Sequence, residues 1–184
     1  MGDVTNWLEL SRVHRDPTLG LDQVAFVDEV RELLDAAGTP GLDREHSDAF
    51  DVAELFDGAL IILLPLSSSP HGSIQLQATP TTILGTWDDK HYIWDSTSEG
   101  EEPLRLDGTD KQARGLALTW LDQQIRRPFV RRRHQWGPLT LTTWGHTDGG
   151  DIGWTDSTGF LPFQPPGTQH SEVPAGYLDP PPAD

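Results

Sequence analysis

The segment Ala59 to Leu66, ALIILLPL, is apolar without interruption and β-branched at its centre. It falls well short of the roughly 18 apolar residues that mark a membrane span, so the run has to be buried in protein. An apolar run this short, with no alternation, reads as a strand covered on both faces or another fully buried segment, placed centrally. That sets the problem for the rest of the chain, which must supply neighbouring strands and two covering layers.

Helices are available for one layer. In GLDQVAFVDEVRELLDAAG, Phe26, Val30, Leu33 and Ala37, with Val27 and Leu34 beside them, recur at three and four residues, and Gly38 followed by Pro40 supplies a stop. Asp28, Glu29, Glu32 and Asp35 make the solvated side. A second helix is expected from Thr109, with Gln112 three residues on in the spacing of a capping box. Ala113, Leu116, Ala117, Trp120, Leu121 and Ile125 form its apolar face, and Pro128 ends it.

Strands are available around the central run. In SIQLQA, Ile74 and Leu76 alternate with glutamines, and TTILGTW and KHYIWDS, joined by Asp88 and Asp89, read as a hairpin. EEPLRLD suits an edge strand, where Pro103 is tolerated. After the second helix, FVRRRHQW is extended, with Arg131 and Arg133 on one side and Arg132 and His134 on the other; charge on both sides suggests an edge. PLTLTTWGHTDGGDIGWTDS is a hairpin whose tip holds Asp148 to Asp151 and whose arms could bring Trp144 and Trp154 together. The expected class is α+β: a mainly antiparallel sheet packed against two amphipathic helices. Residues 1–158 form a single domain. Residues 159–184 hold seven of the fifteen prolines and read as a Pro-rich arm or tail without regular secondary structure, with Phe160, Leu161, Phe163, Tyr177 and Leu178 as its candidate anchors.

Charge is segregated along the chain. The net formal charge is -16, yet residues 111–136 carry seven Lys or Arg against one Asp or Glu. Residues 1–110 carry six against 22, and residues 137–184 carry none against six. Such a field argues against anionic membranes and nucleic acid and favours a basic partner. The cations of QQIRRPFVRRRHQWG have two structural explanations. Arg126 and Arg127 end a helix, where cations meet exposed carbonyls, and the remaining arginines could pair with the acidic first 110 residues or with another subunit. The same arginines could also engage phosphate or carboxylate on a ligand. Arginine outnumbers lysine eleven to two, a bias that a GC-rich bacterial genome produces without any chemistry.

Motifs for chemistry are sparse. There is no cysteine, which removes disulfides, thiolate zinc sites and thiol nucleophiles. Phosphate-binding loops, dinucleotide fingerprints, His-Glu-x-x-His and the Gly-x-Ser-x-Gly elbow are absent, and no cofactor is expected. His146, Asp148 and Asp151 surround a Gly-rich turn and are weak candidates for a hard cation, although tight turns ask for the same residues. Asp89 with His91 could be an acid/base pair, and LSSSPHGS has hydroxyls beside His71.

Seven tryptophans are spread over nearly every expected element. Those on hairpins suit an interface. The candidate partner-binding residues are Arg131, Arg132, Arg133, Trp136, Trp144, Trp154, Phe160 and Phe163. The resulting expectation is a non-catalytic, acidic, cytoplasmic protein-interaction module, of the kind by which immunity proteins and antitoxins neutralise a basic partner. Two alternatives stand beside it: an accessory subunit of an assembly, self-associating through the C-terminal arm, and a small metal-dependent hydrolase.

Overall fold

The structure, a computed structural model, describes residues 7–8, 20–51, 58–67, 73–88, 104–136, 139–147, 151–158, 168–172 and 177–178. Helix α1 (Leu21–Ala37) precedes strands β1 (Asp48–Asp51), β2 (Leu60–Pro65), β3 (Ser73–Ala78), β4 (Thr82–Asp88) and β5 (Leu104–Asp107). Helix α2 (Lys111–Arg126) follows, and then strands β6 (Phe129–Trp136), β7 (Leu139–His146), β8 (Asp151–Thr158) and β9 (Thr168–Glu172). The arrangement is α+β, and the strand pairings among the described residues are antiparallel. The strands form two sheets rather than one, ordered β1-β2-β3-β4-β5 and β8-β7-β6-β9. Among the described residues, no helix is long and apolar enough to cross a membrane.

The apolar run becomes β2, between β1 and β3, and both its faces are covered. Leu60, Ile62 and Leu64 join Ile74, Leu76 and Ile83 of the neighbouring strands and Phe26, Val30, Leu34, Ala117 and Leu121 of the helices in one core. Ile61 points the other way and is also buried, as are Gln75 and Gln77 of β3. The alternation in SIQLQA therefore separates two interiors, not an interior from solvent.

Both helices end where local chemistry dictates. Gly38 adopts φ 61°, the left-handed region that glycine enters without a Cβ clash, and its N–H donates to the Asp35 carbonyl. At the start of α1, the buried Gln23 accepts from the Gly20 N–H (2.8 Å) and donates to the carbonyls of Gly58 and Ala78. The cap of α2 is Asp110 and not Thr109: Asp110 Oδ1 accepts from the Ala113 N–H at 2.9 Å. Thr109 is engaged elsewhere, donating its hydroxyl to the Pro80 carbonyl beside the β3–β4 turn.

Helices and sheet meet closely at Gly85, where a Cβ would lie 2.7 Å from the Trp120 ring. Between the helices lies Arg114, 7% exposed. Its guanidinium donates to both oxygens of Glu29 (2.9 and 3.2 Å), to Asp22 (2.7 Å) and to the Thr109 carbonyl (3.1 Å). The hydrogen bonds to Glu29 hold its proton more tightly than usual, against the opposing effect of burial, and Asp22 adds to them.

Two expectations change in the C-terminal third. β6 lies between β7 and β9, so it is interior to its sheet and not an edge. Arginine on both sides of the strand suggests an edge; the half-buried side chains of Arg131 and Arg132 remove that conflict, because a long side chain can bury its stem and keep its head wet. Beyond residue 159, Thr168–Glu172 forms a regular strand, and Tyr177 is fully buried in the main core. The Tyr177 hydroxyl donates to the Leu64 carbonyl and accepts from the Ile74 N–H (3.2 Å), and so bridges two residues that are register partners on β2 and β3. The Tyr177 carbonyl accepts from the Gly41 N–H. Burial raises the affinity of the phenol for its proton.

Candidate functional site

Six of the eight candidate contact residues lie in the second sheet: Arg131, Arg132, Arg133 and Trp136 on β6, Trp144 on β7 and Trp154 on β8. Phe160 and Phe163 lie outside the described residues. The alternation of β6 divides its side chains. Val130 and His134 are buried on the side that also carries Arg132, whereas Arg133 and Gln135, on the side of Arg131, are exposed. Across the ladder, Arg131 stands opposite Trp144 and Glu172, and Arg133 opposite Thr142 and His170. Trp144 and Trp154 fall where the β7–β8 register shifts, between Thr143 and Gly145.

One pairing with the acidic first 110 residues is made by a residue of the basic segment that lies outside this cluster. Arg114 bridges to Asp22 and Glu29. Arg126, at the end of α2, pairs with Asp122 on its own helix at 2.9 Å. No ion pair of Arg132 or Arg133 is found among the described residues.

The opposite sign is displayed by α1. Phe26, Val27, Val30 and Leu34 face the core, and a helical period away Val24, Asp28, Glu32 and Asp35 face solvent. Val24 is 41% exposed, and the side chains of Asp28 and Asp35 are 55% and 45% exposed. Asp28 pairs with Arg31, which also donates to the Leu8 carbonyl. Asp35 accepts from Arg44 at 2.9 Å and from Trp7 Nε1–H at 3.1 Å, while the Arg44 guanidinium lies 4.8 Å from the Trp7 ring centroid. These partners leave the carboxylates partly wet and hold them in place. Further round the surface, His46 Nδ1 lies 2.8 Å from Asp43, and this contact lowers the pKa of that carboxyl group.

The weak metal candidates are distributed differently. His146 is fully buried, its ring centroid 5.3 Å from that of Trp87 and close to edge-on. Asp151 opens β8 opposite Gly145, and Asp148 lies outside the described residues. Among the described residues, no three His, Cys, Asp or Glu side chains are grouped to hold a metal ion. Asp89, His91 and His71 also fall outside them. Ser67, from the serine run, donates its hydroxyl to the Gly41 carbonyl at 2.7 Å, a turn-bracing role.

Sequence reasoning missed two anchoring residues, Arg114 and Gln124, and for Tyr177, a candidate anchor of the arm, it missed the place in the core. Arg114 lies seven and eleven positions before Leu121 and Ile125, on the apolar face; a charge at that spacing signals a buried pair. Gln124 accepts from Trp87 Nε1–H at 2.9 Å. Tyr177, an aromatic among prolines, reaches within 5.8 Å of Trp87 between ring centroids. Trp87 thus touches α2, the second sheet and the C-terminal segment at once. No family model, curated protein or solved structure matches this chain.

Proposed function

We propose that the protein is a non-catalytic interaction module that binds a basic protein partner through the solvent side of α1, as an immunity protein or antitoxin covers its target. The observation that supports this reading is the row of exposed carboxylates, Asp28, Glu32 and Asp35, with exposed Val24 beside them on a helix whose opposite face packs into the core. With a net charge of -16, the whole molecule attracts a cationic partner at long range. The helix then offers an apolar contact bordered by charge, which suits the hydrophobic centre and polar rim of an interface. The reading in which residues 159–184 lie across a neighbour is less favoured, because Tyr177 already fills a place in its own core.

The test is a pull-down from host extract with the intact chain and with the variant D28K/E32K, at low and at moderate salt. A basic protein should be retained by the intact chain, lost with the variant, and weakened as salt rises past a Debye length of about 10 Å at 0.1 M. Retention indifferent to the charge reversal, or no basic protein retained, rejects the reading.

A further inference from the structure

We propose that Arg132 and His134 form a binding site for a small oxyanion, a carboxylate or phosphate group, on the Val130 side of the second sheet. The proposal is independent of the partner assigned to α1. His134 is 8% exposed, and its Nε2 is buried and has no hydrogen-bond partner among the described residues. Buried side-chain nitrogens are nearly always bonded, and an unbonded one asks for the group that completes it. Arg132 precedes it by two residues on the same side of β6, about 6.8 Å along an extended strand. Its side chain is half-buried, and no ion pair or hydrogen bond of it is found among the described residues, in a chain with 29 carboxylate side chains.

The neighbourhood suits an anion. A guanidinium presents a fork of N–H donors matched to two oxygens, and the imidazole in its Nε2–H form donates one more. Opposite Arg132 the ladder places Ser171 of β9, an exposed hydroxyl residue, and Thr143 of β7; opposite His134 it places Gln169 and Leu141. Buried Val130 closes the same side two residues before Arg132, so one end of the site is apolar and only partly open to water. On the reverse side, Arg133 is exposed and lacks this enclosure.

The experiment is thermal unfolding of the full chain titrated with inorganic phosphate, and separately with acetate, against sodium chloride at equal ionic strength. A ligand that binds only the folded state raises the midpoint. The rise should exceed that in chloride for the wild type and for R133Q, which removes the same charge from the other side of the strand. In R132Q the apparent affinity should fall about tenfold. The ring resonances of His134 in the wild type should move with the same half-saturation, a readout that needs no variant to fold. A response to acetate and phosphate alike assigns the site to carboxylates as well, and a response to phosphate alone assigns it to phosphate groups. Midpoints that follow ionic strength only, still His134 resonances, or equal losses in R132Q and R133Q would overturn the proposal.

Discussion

Tyr177 is the residue whose chemistry departs furthest from its sequence surroundings. Prolines on both sides suggest exposed, irregular chain, and nothing in a polar, proline-rich context reveals that one phenol reaches two strands through bonds to Leu64 and Ile74. Y177F keeps the ring and removes those bonds. We expect a loss of about 1–3 kcal/mol in urea unfolding, the usual cost of leaving buried backbone groups without partners. Its raised pKa has a direction in pH. The native state keeps a proton that the unfolded state releases above its ordinary value of 10.0, so this contribution is complete below that pH and is lost as pH rises beyond it. Wild type should therefore lose stability more steeply than Y177F above that value in a pH series of urea midpoints. Gly85 is a second residue-scale test: the Trp120 ring occupies the space a Cβ needs, and G85A should cost about 1–3 kcal/mol through overpacking.

Elements were legible where one period dominated. α1 matches its expected face because Phe26, Val30 and Leu34 bury together and Gly38 has the one conformation that ends the helix there. β2 matches because an uninterrupted apolar run has few ways to be covered. β6 was misplaced, because alternating arginine looks the same on an edge strand and on an inner strand with one wet face; only the partner strand β9, hidden in proline-rich sequence, distinguishes them. The join between α1 and α2 depends on Arg114, and periodicity assigns no partner to a lone charge. R114M should separate charge from packing, since methionine keeps much of the volume. With Asp22 and Glu29 able to stay hydrated, we expect a loss of about 1–3 kcal/mol, less than the 3–5 kcal/mol of a pair broken in a closed interior. Guanidinium unfolding would mask the charge effect by screening, so urea is the proper denaturant.

Across the whole molecule, acidic and basic segments are separated in sequence and only partly joined in space. Arg114 makes one of the joins, but Arg132 and Arg133 of the second sheet show no ion pair among the described residues, and the net charge remains -16. Self-repulsion at that charge weakens the compact state. Raising salt from 0.01 to 0.15 M should raise the thermal midpoint, because the Debye length falls from about 30 to about 8 Å. A midpoint that stays flat or falls would show that local pairs outweigh the net field. The candidate surfaces were legible in composition and not in position. The acidic side of α1 follows from helical period, whereas the buried place of His134 depends on strands that sequence alone could not pair. A chain ending at Thr158 lacks both β9 and Tyr177, and should unfold at a urea midpoint well below that of the full chain.

The bridge from Tyr177 also sets an order of events during synthesis. Leu64 and Ile74 are made 113 and 103 residues before the phenol that completes them. While the ribosome still holds the C-terminal segment, β2 and β3 can pair and collapse against α1, but those two backbone groups must wait or bind water. The bridge between Leu64 and Ile74 can therefore close only after Tyr177 has cleared the exit tunnel.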